Sequence, residues 1–163
     1  MEKHLRKSLV AYFITFFFIL ASDLVTKKLA EHYLYNREVS LLPFLHLVLV
    51  YNKGVAFGIL SNAPDIIRLP LVLLSPLVAL VLTFLYAIKR KDTTTALLMG
   101  MVAGGAIGNF HDRLFLGYVR DFIYISYGKF SWPAFNLADM GISVAILLLL
   151  TLSFSPSNSH CKN

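Results

Sequence analysis

Charge is scarce in this chain: 15% of its 163 residues are Asp, Glu, Lys or Arg, and 57% are hydrophobic. Roughly 25% charged is usual for a soluble domain. With a mean hydropathy of +0.68, the balance excludes an ordinary soluble fold and points to the membrane. Cysteine is almost absent. The lone Cys161, beside His160 in the polar tail 155–163, excludes an internal disulfide and reads as a tail residue without a role rather than a nucleophile. Acidic residues are the scarcer charge, 9 against 15 basic, for a net charge of +6. The basic residues sit at the ends of apolar runs, as in membrane proteins, and form no stripe interleaved with aromatics, so no nucleic-acid partner is expected. Also missing are the His-Glu-x-x-His spacing of metal sites, a serine nucleophile elbow, Gly-x-Gly-Asp, Gly-x-Ser-Gly and paired phosphatase motifs. No metal and no cofactor are expected.

What is present is long apolar sequence. Four stretches, residues 8–24, 66–88, 96–115 and 137–154, approach the roughly 20 residues that cross about 30 Å of hydrocarbon. Inside a bilayer they must be helices, because nothing else satisfies their backbone groups. Pro70 and Pro76 fall within the second, where they are tolerable near an end and as a possible kink. Lys3, Arg6 and Lys7 before the first run resemble the start of a secretory signal. That run continues into Asp23 and Lys27, so a retained helix is expected. Lys89, Arg90 and Lys91 fill the turn between the second and third runs. Under the positive-inside rule both basic segments are cytoplasmic, which puts both termini inside and the connections 28–65 and 116–136 outside. Residues 41–60 read as strand material, with Leu45, Leu47, Leu49 and Tyr51 alternating against Phe44, His46, Val48 and Val50, and Asn52-Lys53-Gly54 offering a turn. The expected fold is an all-α membrane protein, a single domain over 1–163, with four spans and a small sheet over residues 40–61 on the outer surface.

Against this background two carboxylates stand out. Asp121, in Val119-Arg120-Asp121-Phe122, and Asp139, in Phe135-Asn136-Leu137-Ala138-Asp139, flank a short connection at one membrane face. A charge at a helix centre costs about 2.5–3.5 kcal/mol on insertion scales, so ionisable groups kept near hydrocarbon face a cavity, a partner or a reaction. Two such groups close together share a proton unequally, which supplies a general base for water and a general acid for a leaving group. Two unrelated interfacial carboxylates, one capping a helix start, would leave the same trace in sequence. Asp112, adjacent to Arg113, competes with them, but an ion pair with a basic group at the outer end is its plainer reading, and His111 suits a solvated or hydrogen-bonded interfacial role. Gly104, Gly105 and Gly108 imply close helix packing. Asn109 and Asn136 need partners at membrane depth and could orient the carboxylates or bind substrate backbone. Asp23 and Lys27, one turn apart, can form an ion pair within their helix.

Five segments, in order, resemble the lipoprotein signal peptidases, the type II signal peptidases of bacteria (aspartic peptidase family A8). They are Asp23-x-x-Thr26-Lys27, Asn52-x-Gly54-x-Ala56-Phe57, Gly108-Asn109-x-x-Asp112-Arg113, Val119-x-Asp121-Phe122 and Phe135-Asn136-x-Ala138-Asp139. Each is weak alone; the ordered set, spanning nearly the whole chain, is specific. The resemblance implies four helices with a small outer β-cradle, and Asp121 and Asp139 as the catalytic dyad. It makes Asp112 a supporting residue, places Asn52, Gly54, Asn109, Arg113 and Asn136 around the substrate groove, and matches Asp23 and Lys27 to a helix-one pair. Val55 stands where the family commonly has alanine and Gly58 where serine is common, a difference confined to the groove wall. The implied reaction is removal of signal peptides from prolipoproteins before a diacylglyceryl-modified cysteine, by a monomer in the bacterial cytoplasmic membrane with its site near the outer face and membrane lipid around it. The rival from another class is a small transporter or proton-conducting bundle using the same two aspartates, which predicts inverted repeats; none is visible.

Overall fold

The apolar runs fold as four helices, α1 (Glu2–Leu34), α2 (Asp65–Arg90), α3 (Thr93–Leu116) and α4 (Leu137–Phe154), in a computed structural model that describes residues 2–54 and 64–154. Four strands accompany them: β1 (Val39–Leu42), β2 (Leu45–Asn52), β3 (Val119–Tyr127) and β4 (Phe130–Phe135). The positions of Val55 and Gly58, the strand reading beyond residue 54 and Cys161 lie outside the described residues.

Local chemistry sets the breaks. α2 runs on through Pro70 and Pro76 and ends at Lys91, whose left-handed backbone lets its N–H reach the Ala87 carbonyl at 3.1 Å. Asp92 follows at once as N-cap of α3, its carboxylate accepting from the Thr95 N–H at 2.8 Å. The α2–α3 turn is therefore only two residues long, and the helices lie antiparallel. α3 stops at Gly117, whose φ of +80° suits a left-handed C-cap.

α1, α2 and α4 are each long and apolar enough to cross a membrane. α3 does not meet that measure, because it is the central helix. It packs on α1, α2 and α4 and buries Ala103, Gly104, Asn109 and Asp112 among others, so its surface need not match lipid. At Gly104 the approach is so close that a Cβ would lie 2.5 Å from the Phe16 carbonyl oxygen of α1. Thr15 of α1 also donates to the Leu97 carbonyl of α3 at 2.9 Å. An aromatic and alanine core around Tyr12, Phe16, Phe84, Ala96 and Ala103 joins α1, α2 and α3.

α1 is longer than the apolar run predicts. Its 33 residues span roughly 50 Å, about 20 Å more than the hydrocarbon, and its last turns carry the sheet. Ala30 and Leu34 pack there against Phe122 of β3, with Leu47, Leu49 and Ile123 around them. The sheet is antiparallel throughout, in the order β1-β2-β3-β4. This corrects the expectation of a sheet confined to residues 40–61: half of it comes from 119–135, read above only as a connection. β3 and β4 join through Gly128-Lys129, with Tyr127 paired to Phe130 and Gly128 at φ +59°. Glycine in the first of two central positions is the type II′ hairpin arrangement. Pro133 costs the sheet little because β4 is an edge strand.

Candidate active site

Strand alternation sorts the residues of β3. Phe122 packs on α1 and Arg120 reaches α1 and α3, so Asp121 between them points the other way. It faces a cavity of about 1030 Å³ bounded by the sheet, α2, α3 and α4. Asp121 is 2% exposed, and each carboxylate oxygen accepts from an amide: Oδ1 from Asn136 Nδ2 at 2.7 Å, Oδ2 from Asn52 Nδ2 at 3.0 Å. Burial first, and then the nearby Asp139 charge, push its pKa up to about 6, against the pull of the Asn52 and Asn136 hydrogen bonds.

Asp139 enters from the start of α4. Asn136 caps that helix: its Oδ1 accepts from the Asp139 N–H at 3.0 Å, and its own N–H donates back to Asp139 Oδ2 at 3.3 Å. That reciprocal pattern is a capping box with an aspartate at its third position. Capping and a cavity-facing role thus coexist, because Oδ1 remains to accept from Asn109 Nδ2 at 2.8 Å. Asp139 is half-buried where Asp121 is buried.

The two asparagines lock each other. Asn136 Nδ2 donates to Asn109 Oδ1 at 3.0 Å as well as to Asp121, so one amide pair bridges both carboxylates. Behind it lies Lys27, fully buried, whose Nζ donates to Asn109 Oδ1 at 2.7 Å and pairs with Asp23 Oδ2 at 2.7 Å. With Lys27 and Asn136 both donating to its oxygen, Asn109 can present only its NH₂ to Asp139. Asp23 Oδ1 in turn accepts from the Ala138 N–H at 3.0 Å, tying α1 to the first turn of α4. A Cβ on Gly108 would run into the Asp23 carboxylate, so glycine there is what admits the pair.

Asp112 takes no part in the cavity wall. It is fully buried, and its oxygens accept from Arg120 Nη2 at 2.7 Å, Arg120 Nε at 3.0 Å and the Arg120 N–H at 3.1 Å, with Lys27 3.7 Å away. Its ion-pair partner is Arg120 across the β3 boundary rather than adjacent Arg113, since neighbouring helical residues point apart. Burial opposes the Arg120 charge, yet Asp112 and then Glu31, 2.7 Å away, raise its pKa. Arg113 lines the cavity and donates to the Gly54 carbonyl at 3.2 Å, while Gly54 N–H donates to Asn52 Oδ1 at 2.9 Å. His111 packs on Phe115 with Nδ1 3.6 Å from Asp112 Oδ1.

All ten residues singled out in the sequence therefore meet in one connected region. Asn52, Asn109, Arg113, Asp121 and Asp139 line the cavity, and Asp23, Lys27, Asp112, Asn136 and Gly54 stand behind them. Arg120 and Glu31 were missed. The available signal was strand alternation, which turns Arg120 away from the Asp121 face towards the helices.

Comparison with known proteins shows the family. The profile of the Peptidase_A8 family, described as signal peptidase (SPase) II, matches residues 15–155. Lipoprotein signal peptidase from Aquifex aeolicus (strain VF5) is 50% identical, covering 94% of this chain and 92% of its own length. The enzyme of that name from Sulfurihydrogenibium sp. (strain YO3AOP1) is 39% identical over 90% of this chain and 92% of its own. A solved bacterial membrane enzyme superposes with a TM-score of 0.79 at 26% identity, over 93% of each chain. These matches decide between the peptidase and the transporter readings. The chain belongs to the signal peptidase II family, membrane aspartic peptidases that cleave the signal peptides of prolipoproteins.

Proposed function

We propose that Asp121 and Asp139 are the catalytic dyad of this peptidase, and that the bond cut lies just before a diacylglyceryl-modified cysteine. The observation that carries the assignment is the shared amide bridge: Asn109 and Asn136 hold both carboxylates on the wall of one cavity. Asp139, the more exposed of the two, is the ionised base, and Asp121 is the acid. Asp139 removes a proton from water as its oxygen bonds to the scissile carbonyl carbon, and Asp121 gives its proton to the carbonyl oxygen. In the collapse of the resulting gem-diol, Asp121 recovers a proton from a hydroxyl, Asp139 delivers its proton to the leaving nitrogen, and the C–N bond breaks.

All four helices span, with both termini cytoplasmic and the sheet on the outer surface. α2 and α4 each pack on α3 but barely touch one another, and residues of both line the cavity; in the proposed orientation the gap between them faces lipid. That gap suits a substrate that is itself a spanning helix with a lipid-anchored residue at its end. The enzyme acts as a monomer and a single domain. Purified protein should cleave a diacylglyceryl-modified prolipoprotein and leave the unmodified form intact. Asp121→Asn and Asp139→Asn should each abolish cleavage without loss of membrane insertion; normal turnover by either variant removes the dyad assignment.

A further inference from the structure

Between α2 and α4 the cavity wall is mostly aliphatic, and two hydroxyls interrupt it: Ser75 on α2 and Ser143 on α4. Both are exposed. In helices such hydroxyls commonly bond back to the carbonyl three or four residues earlier. Thr15, Thr26, Thr83, Thr151 and Ser153 all do so here. Ser75 and Ser143 have no hydrogen-bond partner among the described residues. Pro76, next to Ser75 and also in the wall, has no N–H, so the Val72 carbonyl one turn earlier loses its helical donor. Ser143 lies one helical turn beyond Asp139 on α4, further from the sheet.

A peptide bond inside a helix has its N–H and C=O engaged and its carbon shielded, so the substrate must be extended where it is cut. The extended peptide groups on the signal-peptide side of the cut would then face hydrocarbon without partners, at several kcal/mol each. A serine hydroxyl can donate or accept, and it reads backbone regardless of side chain. We propose that Ser75 and Ser143 form a backbone-binding subsite, one on each wall, for the extended segment that precedes the scissile bond. The proposal rests on the dyad reading above. It adds that signal peptides of differing sequence are gripped by their peptide groups.

The test is steady-state cleavage of a lipidated prolipoprotein by Ser75→Ala, Ser143→Ala and the double variant. Alanine favours helix, so the variants should fold. The double variant should lose about tenfold in kcat/KM, mainly through a raised KM. Loss of folded enzyme would lower kcat instead. Ser→Thr at either position should recover most of the loss. A substrate with an ester in place of one amide before the cleavage site should be penalised by wild type and little further penalised by the matching alanine variant. Wild-type kcat/KM in the double variant, or equal ester penalties in both enzymes, overturns the subsite. Failure of wild type to cleave, or normal cleavage by Asp139→Asn, instead overturns the dyad reading and takes the subsite with it.

Discussion

Asp121 carries two opposed influences, and if it is the acid of the proposed dyad their balance sets how the enzyme responds to pH. Burial and the neighbouring Asp139 favour its protonated form, while the Asn52 and Asn136 amides favour the charged one; the result is a pKa of about 6. An acid raised in this way holds its proton below that value and loses it as pH rises through it. With Asp121 as the acid, kcat/KM of the free enzyme should fall on the alkaline side of about pH 6, approaching tenfold per unit. Asn52→Ala removes a hydrogen bond to the charged form, so the alkaline limb should move to higher pH even as activity drops. A pH profile of kcat/KM for wild type and Asn52→Ala checks both statements. A limb that moves down in the variant contradicts the assignment of Asp121 as the acid. These residues were legible in the sequence because polar groups among apolar ones are conspicuous. The roles of Asn109 and Asn136 were not, because which amide faces which carboxylate depends on a fold that brings α3 against α4.

At the scale of elements, a buried charge cluster joins α1, α3 and β3. Asp23 and Lys27 on one helical face were readable from their spacing, and their ion pair forms as expected. The Asp112–Arg120 pair was not, because Arg120 lay in a segment read as a connection. The alternation from Val119 to Tyr127 and the Gly128-Lys129 turn were the overlooked hairpin signals. Removing one partner of a buried pair leaves the other uncompensated, at about 3–5 kcal/mol, whereas replacing both with apolar residues is often tolerated. Arg120→Leu should therefore lower the unfolding temperature of the detergent-solubilised enzyme sharply, and Arg120→Leu with Asp112→Leu should recover part of that loss. Cleavage should stay impaired in both variants, since β3 loses its anchor beside Asp121. Thermal unfolding and turnover measured on the same preparations separate the two effects; a double variant less stable than Arg120→Leu would contradict this account.

For the whole molecule, the arrangement in the bilayer follows from where charge was left. Lys3, Arg6 and Lys7 precede the apolar part of α1, and Lys89, Arg90 and Lys91 close the α2–α3 turn; on this charge pattern rests the proposal that both ends of the chain are cytoplasmic. The same proposal counts α3 as a span although its own composition falls short, because short connections tie it between α2 and β3 and three helices pack around it. The scarcity of cysteine makes the topology directly measurable. Cys161 is the sole thiol in the sequence, after α4, and the proposed topology predicts that it is cytoplasmic. In spheroplasts, a membrane-impermeant maleimide should leave Cys161 unlabelled until the membrane is opened with detergent. Lys129→Cys in the β3–β4 turn, made with Cys161→Ser, should be labelled from outside without detergent. Labelling of Cys161 in sealed spheroplasts would invert the molecule and place the dyad on the cytoplasmic side, away from a signal peptide's outer end.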